Sequence, residues 1–491
     1  MKIAIILIYA IGMLAIGFIG RNKSKSTKEF FLCDRNVGPW VSAFAYGTAY
    51  FSAVLFIGYA GKQGWGYGIH TMWIVIGNAM LGSWLAWKLL AARTRDMTIR
   101  LGAITMPEFL EGRYGSRTLK ILAATIIFIF LVPYTAAVYM GLSYLFEMTL
   151  QIQYIHALIF MAALTGCYLI MGGYYALTLT DFVQGLVMLI GVIVMVTALV
   201  GQQGGLIHAT QSLMNPEFAP GLKEAGAIPG WLTLLSLVFV TSFGPWGMPQ
   251  MVQKFYAIKS RDAIKPATIV VTLFSLIIAF GAYYTGALTH LFYAVPPANL
   301  DNLMPLFLTQ FAPPWITLLI MMLVLAASMS TLSSLVLVSA SAVAVDIYAG
   351  NGKRSDRSTV ALMRLLCAGF VVLSCVLALK QPAVIADLMI IAWGTVAGSF
   401  LAPYIYGLFW RRANTAGAFA GLITGLFTSV FLYIKLGKPG IPLAGTIAIL
   451  LPLAVMPLVT ILTRPMPQEH TERVYGEVGQ PVAEKQAVAE A

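Results

Sequence analysis

TSFGPWGMPQ, residues 241–250, places two glycines and two prolines inside ten residues of an otherwise apolar run, 229–256. A helix cannot pass through that stretch intact, because proline has no N–H and its ring clashes with the preceding turn. Backbone left unpaired in hydrocarbon is costly unless it lines a cavity or binds something. The break is therefore either a simple kink or part of a site. AFAYGTAYFSAVLFIG, residues 43–58, is a second such stretch, with small and polar residues where a plain span would carry Leu and Ile. The 43–58 break opens a block of five apolar spans, 38–201, and the 241–250 break opens another five, 229–410. An odd number of spans per block gives the two blocks opposite orientations. Interrupted segments at matching places in two inverted halves point to the midplane binding site of a transporter.

Composition supports the membrane reading. The 491 residues are 59% hydrophobic and 10% charged, with a mean hydropathy of +0.83. Soluble domains carry about 25% charged residues, so a soluble enzyme is excluded, as are disorder and coiled coil. The apolar runs are continuous, unlike the alternating strands of a membrane barrel. The fold class is an all-α polytopic membrane protein with about thirteen spans. They cover 2–20, 38–60, 68–92, 119–147, 153–172, 177–201, 229–256, 264–293, 314–347, 358–380, 384–410, 414–436 and 440–463. The first span has no small-residue cleavage site after it and reads as a retained helix. The tail, 464–491, is rich in Glu, Gln, Pro and Ala and is expected to be disordered.

The net charge of +12 belongs to loops on one side. Arg21 to Arg35, Arg93 to Lys120, Lys254 to Lys265, Lys353 to Arg357, and Arg411 with Arg412 alternate with loops that carry few cations. The positive-inside rule makes the first set cytoplasmic, the N-terminus external and the C-terminus cytoplasmic, in a cell membrane. No basic stripe with interleaved aromatics suggests a nucleic-acid partner. Lipid and a small solute are the expected partners, and no obligatory protein partner is implied. Cys33, Cys167, Cys367 and Cys375 lack metal or redox spacing. No hydrolase or ATPase motif occurs, so an enzyme is not expected.

Ionisable residues inside spans need a reason. Asp181, in LTLTDFVQGLVMLIG, is either a helix-terminal cap or a functional carboxylate. Asp387, near the outer end of its span, either lines the outer vestibule or is solvated, and solvation is the expectation, as is an exposed Asp346 at a cytoplasmic helix end. LAASMSTLSSLVLVSASA, residues 325–342, crowds Ser328, Ser330, Thr331, Ser333 and Ser334 together. Positions 327, 330, 331 and 334 share one helix face. These hydroxyls either bond back to their own helix, allow tight packing, or supply oxygen ligands to Na+ opposite a broken helix.

EFFLCDRNVGPW (29–40), WKLLAARTR (87–95), MPEFLEGRYGSR (106–117), LTLTDFVQGLVMLIG (177–191) and LAASMSTLSSLVL (325–337) follow one another along the chain. In that order they resemble the sodium:solute symporter family, which includes sodium/proline, sodium/pantothenate, sodium/sialic-acid and sodium/glucose symporters. The likeness covers roughly residues 5–435. It implies a five-plus-five inverted-repeat, amino-acid-transporter-like core with added helices at both ends. The expected organisation is 1–37, an extra helix and loop; 38–202, the first repeat; 203–228, an external loop; 229–412, the second repeat; 413–463, two further helices; and the tail. The resemblance implies a Na+ held by the carbonyls of Thr48, Phe51 and Ala327 and the hydroxyls of Ser330 and Thr331. It allows a second Na+ at Asp181, Ser330, Ser333 and Ser334. It places substrate against Tyr50, Ser52, Leu55, Asn78, Tyr134, Thr135 and Trp246.

The implied function is sodium-coupled import of a small organic solute by alternating access, with Na+ as the co-transported ion. The solute is pantothenate, a monocarboxylate or amino-acid-like. Sodium/proline members carry Asp where Tyr50 stands and Tyr where Pro245 stands, and TAYFSAVLFIGYAG resembles the pantothenate branch more closely. The sialic-acid branch has an Arg on the third core helix that 119–147 lacks. The alternatives are a proton-coupled symporter, with Asp181 as carrier, and a uniporter or solute sensor. The short tail carries no signalling domain, which argues against the sensor.

Overall fold

The apolar runs form helices, which satisfy every backbone group within their own segment and so can exist in lipid. The computed structural model describes residues 2–20, 26–223, 228–349 and 356–476. Among these, ten helices are long and apolar enough to cross a membrane, and Ala4–Gly20 is a shorter apolar one. The number is below thirteen partly because expected spans merge. Residues 153–172 and 177–201 become one run, Tyr154–Gly201, bent at Gly173. Gly173 has φ +54°, and a Cβ there would lie 2.9 Å from the Phe30 carbonyl oxygen, so only glycine fits.

The helices sort by burial. In Pro314–Tyr348 and Ile385–Phe409, 94% of the most apolar window is buried in protein, against 33% in Arg357–Lys380, Thr415–Leu436 and Lys438–Leu462. The first two form the centre. The last three turn Leu365, Val372, Phe427, Phe431, Ile434, Leu458 and Leu462 outward, to the lipid. Pro314–Ser341 packs on Tyr154–Gly201, Arg117–Leu150 and Pro39–Tyr50, which brings the serine-rich stretch against the first broken helix. Beyond the break, Ala60–Tyr67 lies backbone to backbone on Ile264–Leu288, where a Cβ on Gly286 would sit 1.9 Å from the Ala60 carbonyl oxygen.

Several charges expected in solvent are buried. Arg113 is fully buried and donates from Nε to the Gly407 carbonyl (3.0 Å) and from Nη2 to that of Ala413 (3.0 Å). A cation there suits the C-terminal end of Ile385–Phe409. Lys120 is buried between Glu111 (3.0 Å) and Glu108 (3.6 Å). Asp346, expected to be exposed, is buried and accepts from Thr105 Oγ1 at 2.6 Å. Asp387, also expected in solvent, is buried and pairs with Lys62 at 2.5 Å. Loop position alone did not put these groups in water, because helix ends fold back over them.

The tail is corrected in part. Gln468–Tyr475 is a helix, and Tyr475 Oη donates to the Gly407 carbonyl at 2.7 Å. Residues 477–491 of the expected disordered tail lie outside the described residues.

Candidate functional site

Both expected breaks are present. Pro39–Tyr50 ends at Phe51, whose backbone is extended (φ −112°, ψ 106°). The chain resumes as a helix after Ser52, whose Oγ accepts from the Val54 N–H (3.2 Å) and whose carbonyl accepts from Leu55 (3.0 Å). Residues Val54–Tyr59 then run in a wider, π-type turn, as do Gly77–Leu85 facing them across the site. Such turns displace side chains from the regular helical register. The second break falls at Met248 (φ −83°, ψ 122°), between Gly230–Gly247 and Pro249–Ala257. Tyr50 Oη donates to the Thr241 carbonyl at 2.5 Å and ties the two broken helices together.

The serine-rich helix meets the first break. Ser330 Oγ lies 2.9 Å from the Thr48 carbonyl oxygen and 3.0 Å from that of Ala327. Thr331 Oγ1 lies 3.2 Å from each of the same two oxygens. All of these residues are fully buried. Two carbonyls and two hydroxyls from two helices thus converge within hydrogen-bond reach, a neutral all-oxygen donor set that suits a hard monovalent cation. Phe51 stands in the break itself, and its carbonyl accepts no hydrogen bond from Ser330 or Thr331. Ser328 belongs to the same cluster but turns away, donating to its own helix at Val324 (2.6 Å).

Asp181 is not a helix cap. It lies inside Tyr154–Gly201, past the Gly173 bend, and is fully buried. Its Oδ2 is 3.5 Å from Lys254 Nζ, which is also 3.2 Å from Ser334 Oγ and sits 5.2 Å from the centre of the Tyr174 ring. Lys254 was counted among the loop cations; it is 1% exposed, on the helix that follows the second break. Ser333 donates instead to the Met329 (2.9 Å) and Ser330 (3.0 Å) carbonyls. Sequence reasoning missed Lys254. The available signal was Asp181 itself, since a carboxylate in a span requires a partner.

Beside the break is a small cavity lined by Tyr50, Phe51, Ser52, Leu55, Tyr59, Asn78, Thr241, Tyr283, Met389 and Trp393. Four expected substrate residues, Tyr50, Ser52, Leu55 and Asn78, line it. Tyr134 stands behind it, its ring edge-on to Trp393 at 5.9 Å. Thr135 and Trp246 are not in the lining. Thr135 Oγ1 donates to Leu131 within its own helix (2.8 Å), and Trp246 Nε1 donates to the Leu81 carbonyl (3.0 Å). Tyr59, Thr241, Tyr283, Met389 and Trp393 were missed, because they reach the cavity by helix crossing and π-type register. No charged side chain is in the lining, and Tyr59 Oη and Asn78 Oδ1 are buried without a hydrogen-bond partner in the protein. Buried polar atoms of that kind are costly unless a ligand or water completes them.

Comparison with known proteins agrees with this architecture. Residues 30–425 match the model of the sodium:solute symporter family. The chain is 32% identical over 441 residues to the osmoregulated proline transporter OpuE of Bacillus subtilis, covering 88% of each. It is 29% identical over 442 residues to the sodium/proline symporter of Escherichia coli, covering 86% of each. Among solved structures, a substrate-bound, outward-open Na+-coupled sialic acid symporter shares the fold, with a TM-score of 0.77 at 19% identity, over 95% of this chain and 99% of the other.

Proposed function

The chain belongs to the sodium:solute symporter family, a family of transporters and not enzymes, and from that premise we propose that it imports proline together with Na+. Sodium co-transport is the property of the family. The choice of proline is supported by relatives that span most of the chain and are themselves proline transporters. That alignment outweighs the local likeness of 48–61 to the pantothenate branch and the departures from the proline members at Tyr50 and Pro245. A second support is the lining of the cavity, uncharged and partly aromatic, with a few polar groups that could orient a small zwitterion. The substrate carboxylate would face the helix N-terminus that begins after Ser52, where backbone N–H groups favour an anion. Asn78 Oδ1 would accept from the substrate's charged amine, with Tyr59 Oη free to donate to its carboxylate.

The observation that carries the ion site is the convergence of Ser330 and Thr331 on the Thr48 carbonyl. There Na+ would take the carbonyls of Thr48 and Ala327 and both hydroxyls, with the Phe51 carbonyl as a further ligand from the break. By joining the first broken helix to the serine-rich helix, the ion would favour the outward-open state. An ion shifts such an equilibrium only by binding the two states unequally. The membrane arrangement that goes with this reading has thirteen spans, repeats at 38–202 and 229–412, and an external N-terminus.

The test is radiolabelled Na+ uptake into proteoliposomes with and without proline. Proline should accelerate Na+ entry, and Na+ should accelerate proline entry. Absence of mutual stimulation, with both ligands binding, would sink the symport of proline; a screen of other small amino acids and monocarboxylates would then name the solute.

A further inference from the structure

The Asp181 pocket has the composition of a second cation site: a buried carboxylate, a serine hydroxyl and an aromatic face. What lies between them is the ammonium of Lys254. Its Nζ reaches Asp181 Oδ2 at 3.5 Å and Ser334 Oγ at 3.2 Å, with the face of Tyr174 on its other side. A lysine ammonium is a compact monovalent cation with three rotatable donors. It meets the same oxygens that a sodium ion would meet, and it makes a cation–π contact that the ring offers to any cation. We propose that Lys254 is a tethered cation that permanently fills the Asp181–Ser334 site, so that the protein binds one fewer Na+ than its oxygen ligands would otherwise allow.

Three features of the geometry support this. First, Lys254 is 1% exposed and Asp181 is fully buried, so the pair is shielded from solvent and its attraction is weakly screened. Second, the lysine is held in place by the chain. Pro249 opens the helix Pro249–Ala257 directly after the break at Met248, and Lys254 lies one and a half turns further on. A group attached to the protein competes with a free ion as an intramolecular ligand, at an effective concentration that linker geometry fixes. Third, the hydroxyls on the serine-rich helix are divided. Ser330 and Thr331 face the Thr48 carbonyl, while Ser334 faces Lys254. One helix therefore presents an exchangeable cation site and a filled one, a turn apart. The filled site also links Pro249–Ala257 to Tyr154–Gly201 and Pro314–Ser341.

The proposal deepens the sodium-coupling reading and rests on it for the identity of the transported ion. The test is equilibrium binding of radiolabelled Na+ to the purified full-length protein in detergent, without solute, counted as ions per protein. K254A should bind one more Na+ than the wild type. The double variant D181N/K254M, which removes both charges together and leaves no buried charge alone, should bind the same number as the wild type. The proposal is overturned if D181N/K254M binds one fewer Na+, since an exchangeable ion then sits at Asp181 in the wild type. It is equally overturned if K254A elutes as a single folded species and gains no ion. Should K254A fail to fold, the double variant decides the matter alone. The wild-type count itself tests the Ser330–Thr331 site: zero ions would remove that site, while the differences between variants still report on Lys254.

Discussion

Thr331→Ala and Ser330→Ala should each weaken Na+ binding by a calculable amount. In the ion-bound state each hydroxyl would be a direct ligand, and a hydrogen bond or contact to a charged group contributes about 1.5–3 kcal/mol. In the ion-free state the same hydroxyls hold the Thr48 and Ala327 carbonyls, at 2.9 to 3.2 Å. Those neutral bonds contribute about 0.5–1.5 kcal/mol and are lost in the variant too. The ion-free state is thus also destabilised, and the net loss of binding is about 1–2 kcal/mol, or roughly 5- to 30-fold in half-saturating Na+. The assay is initial-rate solute uptake against Na+ concentration at saturating solute. Ser328→Ala is the matched control: its hydroxyl belongs to the same cluster but bonds back to Val324, so Na+ dependence should not move. Shifts below twofold in both Ser330→Ala and Thr331→Ala would refute the site, and an equal shift in Ser328→Ala would show a general loss of helix packing.

Further outcomes follow from other contacts. Lys62→Met leaves the buried Asp387 carboxylate unpaired, whereas Asp387→Asn leaves a lysine whose side chain is 29% exposed; the first should lower the melting temperature more, since an orphaned buried charge costs about 3–5 kcal/mol and an exposed one little, and equal losses would contradict the burial asymmetry. Tyr59→Phe removes a hydroxyl that no protein group satisfies, so thermal stability should hold or rise while KM for the solute rises roughly 10-fold or more; an unchanged KM would take Tyr59 out of the site. Burial pushes the Asp301 carboxyl up to about 6, with the Ile385 N–H and Lys62 opposing. The fold then favours its protonated form, so this stabilisation is full below about pH 4 and is lost as pH rises through about 6; the melting temperature of Asp301→Asn should gain on the wild type from pH 5 to 7, and a constant difference would mean Asp301 titrates normally. With one Na+ per solute, about 100 mV and a tenfold gradient together supply about 3.7 kcal/mol, a ceiling of roughly 500-fold solute accumulation. A steady-state ratio well above that in voltage-clamped vesicles would require a second coupling ion.

The parts of the site that could be read from the sequence are those written in local pattern. Gly244, Pro245, Gly247 and Pro249, crowded into six residues, mark the break at Met248, and the spacing of Ala327, Ser330, Thr331 and Ser334 fixes a common face. What a face meets is not local. Trp393, Tyr283 and Met389 reach the cavity only because their helices cross beside the break. Counting cations by loop placed Lys254, Lys120 and Arg113 in water, since nothing in a positive-inside pattern separates a solvated cation from one folded back onto a carboxylate or a helix end. Thr135, outside the cavity lining, shows the converse. A hydroxyl in a span can satisfy itself on its own helix, as this one does at Leu131.

The division of labour along Pro314–Ser341 explains why a transporter would keep one cation on its chain. A transported ion must bind strongly enough to bias a conformational equilibrium and weakly enough to leave in every cycle. At Ser330 and Thr331 the proposed Na+ would meet neutral oxygens alone, with no opposite charge to hold it. Asp181 offers a full negative charge in a buried pocket, where an exchangeable ion would be retained more firmly. Placing Lys254 there neutralises the carboxylate without requiring release, and it anchors the helix beyond the second break to the helix that carries the exchangeable site. Movement of Pro249–Ala257 would have to break or carry with it a contact one turn from Ser330. On this proposal the second broken helix would be coupled mechanically to the ion site of the first, through a charge that never leaves the protein.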